Sequence, residues 1–147
     1  VKLFLDTSSL IKLYYQEDGT DKLDRVFGEY IIEEIFLSEI SITEFYSAIF
    51  KKVRTNDLSL QNASDILSSF ANDQAKFSFI PINSRIISLS KELLEKYGVL
   101  GLRALDALQL ASFFPPEMIS IWRFLMIFCL IRFLNLTKST LRYNFYA

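Results

Sequence analysis

The opening residues constrain the fold most. Leu3, Phe4 and Leu5 form an unbroken apolar run that Asp6 ends. A strand without polar alternation has both faces covered, as parallel strands in α/β proteins do. Two further short segments, residues 34–37 and 77–82, fit as strands. Elsewhere the apolar spacing becomes helical. Ile42, Phe45, Tyr46, Ile49, Phe50 and Val53 mark one helix, and Leu60, Ala63, Ile66, Leu67 and Phe70 mark a second. Ile86, Ile87, Leu89, Leu93, Leu94 and Tyr97 mark a third, expected to stop at Gly98. A fourth runs from Leu102 to about Phe113, before Pro115 and Pro116 break it. Ser8 and Ser9 offer caps for a short helix after the first strand, and residues 22–27 read as another that ends near Gly28. Strands alternating with helices predict a single α/β domain with a central parallel sheet and helices on both faces.

Composition narrows the chemistry. The chain has 147 residues, 51% of them hydrophobic, enough for one core. It has no histidine, which removes Ser-His-Asp and Cys-His catalysis, His-ligated zinc and a histidine general base. Chemistry must then run on carboxylates, hydroxyls, amines or a metal held by oxygen. A net charge of -1 advertises no global positive field for nucleic acid, although a bound cation supplies positive charge of its own. The single cysteine, Cys129, cannot form an internal disulfide, so a reducing, cytoplasmic setting is expected. Val1 opens directly into strand-like sequence, so no secretory signal is expected.

Three acids stand out. Asp6 follows the first strand, and ligands of open parallel sheets bind at the strands' carboxyl ends; a helix-capping aspartate is the plain alternative. Glu44 lies opposite the Ile42, Phe45, Ile49 stripe, so it either lines a cleft or faces solvent. The Ser41-Ile42-Thr43-Glu44 string also fits a capping box. Asp106 sits among Leu102, Ala104, Leu105, Ala107, Leu108, Leu110 and Ala111, where a buried carboxylate would need a partner, either a metal or Arg103 one turn back. Gathered without a cation these acids would repel one another; with Mg²⁺ or Mn²⁺ they could hold an ion that activates water. A Gly-x-x-x-x-Gly-Lys loop is absent. A haloacid-dehalogenase phosphatase would want a second aspartate where Ser8 stands.

The string from Leu3 to Leu10 resembles the opening of PIN domains, with their first metal-binding aspartate. Ser38 to Phe45 is similar to their second motif, and Gly101 to Ala111 to their third. The resemblance covers residues 1–112 and is strongest to VapC-type toxins of prokaryotic toxin–antitoxin pairs. It implies a three-layer α/β/α fold and a Mg²⁺-dependent endoribonuclease, with Mn²⁺ as a substitute ion. Asp6, Glu44 and Asp106 would serve as metal ligands and catalytic acids, and Ser8 would support Asp6. The implied partners are an RNA substrate, a cognate antitoxin and a second copy of the chain. A binding-only PIN-like protein that takes antitoxin or RNA without cutting is the alternative.

Residues 113–147 depart from that pattern. The family continues into a strand bearing a fourth acid, whereas here no Asp follows Asp106 and the one later acid is Glu117. The balance also flips, from 12 basic and 16 acidic residues up to Asp106 (-4) to 4 basic and 1 acidic beyond it (+3). A membrane anchor is disfavoured, because the apolar run 124–131 has 8 residues against the roughly 20 that a span needs. A divergent strand and helix is a second reading. The third is a reading-frame shift near residues 112–117, since codon choices exist by which 117–133, read two nucleotides along, begin Asn-Asp-Ile-Asp-Leu-Ala-Ile-Ser. The frame-shift reading predicts that sequencing the gene across these codons reveals such a tail, acid included, in an alternative frame. A gene with no such tail in either frame sinks it.

Overall fold

The computed structural model describes residues 1–113. Glu117, Cys129, the 124–131 run and every reading of the tail lie outside the described residues. The elements are β1 (Lys2–Leu5), α1 (Thr7–Ile11), α2 (Thr20–Glu29), β2 (Glu34–Ser38), α3 (Ile40–Arg54), α4 (Leu60–Asp73), β3 (Ser78–Ile80), α5 (Ser84–Tyr97) and α6 (Ala104–Phe113). The strands lie in the order β1-β2-β3, parallel throughout, with Phe4 opposite Phe36 and Leu37 opposite Phe79.

The unbroken apolar strands are explained by what covers each face. Successive strand residues point to opposite sides. Leu3, Leu5 and Leu37 therefore join one core with Leu10 and Ile11 of α1, Leu23 and Val26 of α2, Phe45 and Ile49 of α3, and Phe70 of α4. Phe4, Phe36 and Ile80 join the other, with Ile86 of α5 and Ala111 of α6. The result is the expected three-layer α/β/α arrangement. In the first core the Phe45 and Phe70 rings lie 4.3 Å apart, and Tyr14 meets them edge-on at 5.4 and 5.8 Å.

Two helices end beside the expected glycines, though neither glycine is left-handed. Helix α2 runs through Gly28 to Glu29, and after α5 a tight turn over Gly98–Leu100 continues the right-handed path. The left-handed residue is instead Gly101, at φ 97°. A side chain there would be strained, so this glycine frees the chain to turn into α6. At the far end of α6, buried Ser38 and Ser112 hydroxyls lie 2.8 Å apart, and Ser112 Oγ also lies 2.9 Å from the Leu108 carbonyl. A carbonyl takes the Ser112 proton, so Ser38 donates and ties β2 to α6. Among the described residues no helix is long and apolar enough to cross a membrane.

Glu17 joins the loop after α1 to α3, accepting from Lys12 at 2.9 Å and Lys52 at 2.8 Å. Burial pushes its carboxyl pKa up, but the hydrogen bonds and charges of Lys52 and Lys12 outweigh this and hold it below the usual range. A carboxyl depressed by folding contributes stability above its unfolded pKa, about 4.3, and loses it as pH falls through the folded value. Glu17→Gln is therefore predicted to melt below the native chain at pH 7. In thermal melts across pH, the gap should close below about pH 4; a gap that persists there would assign the effect to something other than the charge.

Candidate active site

The site grows from the carboxyl end of the sheet. Leaving β1, the chain places Asp6 as the N-cap of α1. Its Oδ1 accepts from the Ser9 backbone N–H at 2.8 Å, and the Ser8 hydroxyl donates to the same carboxylate, 2.9 Å from Oδ2. The capping role and the site role are therefore compatible: Oδ1 closes the helix end, while among the described residues Oδ2 meets only the Ser8 hydroxyl.

Thr7 reaches across to α3. Its hydroxyl donates to Glu44 Oε2 at 2.6 Å. Gln109 of α6 donates from Nε2 to that same oxygen at 2.7 Å, to Thr7 Oγ1 at 2.8 Å and to Ser41 Oγ at 3.0 Å. Thr7 spends its one proton on the carboxylate, so it must accept from Gln109. Glu44 thus lies half-buried where α1, α3 and α6 meet, and not on a solvated face. Its Oε1 has no hydrogen-bond partner among the described residues. The capping box does not form: α3 begins at Ile40 behind Glu39, and Ser41 faces Gln109 instead.

Asp106 is a correction. The apolar helix around it predicts a buried carboxylate, but Ala104, Leu105 and Asp106 form an exposed first turn, and α6 becomes buried only from Ala107 onward. Solvent satisfies this charge, so burial no longer argues for a metal partner. No ion pair joins Asp106 to Arg103 among the described residues. Asp106 stands three residues before Gln109, and residues three apart share a helix face. It therefore lies on the side of α6 that carries the Glu44 contact.

The PIN domain family model matches residues 3–113. The chain belongs to the PIN domain family. No curated protein matches it. PIN domains are generally nucleases that act on nucleic acid with divalent metal ions. The donors present here fit such an ion by chemistry, being carboxylates, hydroxyls and a carboxamide without a nitrogen or sulfur ligand among them. Among the described residues, however, no group of three His, Cys, Asp or Glu side chains stands close enough to enclose a metal.

The sequence reading named the acids but missed what holds them. Gln109 carried a usable signal: it is the polar residue between Leu108 and Leu110, one turn from Asp106. Thr7 carried none, since a hydroxyl after a capping aspartate is common at helix starts. Thr7→Val keeps the shape but removes both of that hydroxyl's bonds. It should cost about 1–3 kcal/mol in urea unfolding, with Thr7→Ser near native. Native stability in Thr7→Val would mean that these bonds contribute nothing net.

Proposed function

We propose that this chain is a Mg²⁺-dependent endoribonuclease of the VapC toxin type, with Mn²⁺ able to substitute. The observation that carries the reading is the fixed Glu44 carboxylate. Thr7, the residue after Asp6, and Gln109 both donate to Oε2, leaving Oε1 without a hydrogen-bond partner among the described residues. In this reading Asp6 and Glu44 hold the ion, and Ser8 orients the Asp6 carboxylate. Asp106, exposed in the first turn of α6, would complete the set of three acids that serve the ion. When bound, the ion supplies an acidified water and positive charge for the scissile phosphodiester. That charge matters because residues 1–106 carry 12 basic and 16 acidic groups, a balance of -4 that does not itself attract RNA.

An antitoxin and a second copy of the chain are the proposed protein partners, and the cytoplasm the proposed location. Apolar side chains left in solvent along α3 and α4 support a protein-binding surface, with Phe50 41% and Leu60 67% exposed. Residues 1–112 are the proposed domain core. A second reading, a binding-only PIN domain, is favoured by two observations: no aspartate follows Asp106, and no three-acid group forms among the described residues.

RNA cleavage by the purified chain tests these readings. Cleavage should need Mg²⁺ or Mn²⁺, stop in EDTA, and fall by about 10–100-fold in Asp106→Asn. Folded protein that binds RNA or antitoxin but never cuts would establish the binding-only reading instead.

A further inference from the structure

Gln109 is 3% exposed, and its amide faces an arrangement that packing alone does not require. Its two N–H protons serve three acceptors, the Glu44 carboxylate at 2.7 Å, Thr7 Oγ1 at 2.8 Å and Ser41 Oγ at 3.0 Å, so one proton is shared. The other end of the amide is unpaired among the described residues: Gln109 Oε1 is buried with no hydrogen-bond partner there. An orphaned buried acceptor is destabilising, and a native fold that keeps one invites an explanation. Turning the amide over would set Oε1 against the Glu44 carboxylate, acceptor against acceptor. The orientation is therefore dictated by Glu44, at the expense of Oε1. A methionine or leucine would fill the same space beside Leu108 and Leu110 without the orphaned oxygen, but would take the donor away from Glu44 and from the buried Ser41 hydroxyl.

We propose that Gln109 is a positioning residue of the metal site, holding Glu44 Oε2 so that Oε1 alone is presented as the ligand. The inference rests on the reading that Asp6 and Glu44 bind a divalent ion. Thr7 and Gln109 engage the same oxygen from α1 and α6, so the carboxylate cannot rotate to chelate with both oxygens without breaking both bonds. A carboxylate held in this way would offer a divalent ion a single oxygen donor.

The test is Mn²⁺ affinity, measured by the loss of the free Mn²⁺ electron paramagnetic resonance signal. It compares the native chain, Gln109→Met, Glu44→Gln and the double variant. Gln109→Met should weaken Mn²⁺ binding by about 10–100-fold. In EDTA it should melt below native, because the buried Ser41 hydroxyl and Glu44 each lose a donor, so the metal effect is read from the Mn²⁺ affinity of the folded variant. In the Glu44→Gln background the same change should add nothing, since its effect passes through Glu44. Gln109→Asn, which keeps the amide but shortens its reach by one methylene, carries the same test should the Met variant not fold. Native affinity in either variant overturns the inference alone, leaving the metal site standing. An equal loss in both backgrounds also overturns it, by showing that Gln109 acts through the fold. A native chain that takes up no Mn²⁺ overturns the inference together with the reading beneath it.

Discussion

A half-buried carboxylate needs donors, and Glu44 finds them on two other helices. Thr7 approaches from α1 and Gln109 from α6, 102 positions apart in the chain, and both meet one carboxylate oxygen. A charged group drawn partly out of water is costly unless it is hydrogen-bonded. The carboxylate therefore specifies how α1, α3 and α6 meet as much as those helices specify it. The buried Ser38–Ser112 bond extends this polar seam to the sheet. Together these contacts fix α6 over the carboxyl end of the strands, where a ligand would approach.

The remaining architecture delivers these groups to one edge. A sheet with apolar residues on both faces must be covered twice, and two helical layers do so. Because all three strands run parallel, β1 and β2 end on the same side, and Asp6 and the start of α3 come out together. Gly101 turns the chain into α6 at a backbone angle other residues resist. The site is thus a consequence of strand direction, with chemistry supplied by the residues that follow each strand.

The electrostatic picture differs from a tight acid cage. Asp106 is in solvent, and Glu44 is stabilised by neutral donors, with no cationic side chain paired to it among the described residues.

The sequence by itself determined the elements and their class. Residues 3–5 declared a doubly covered strand, helical spacing located α3 to α6, and the order of Asp6, Glu44 and Asp106 matched the PIN pattern. These are local properties, set by which neighbours are apolar and at what period. Spacing could not say whether the face of α3 opposite its apolar stripe met water or another helix, since the answer depends on α6, more than sixty residues away. Nor could composition place Asp106 in solvent, because an apolar helix buries only the turns that other elements cover. The partnership of Thr7, Glu44 and Gln109 was decided by the tertiary structure alone: a hydrogen bond requires two groups to be close and aligned, and only the packing of the layers supplies that.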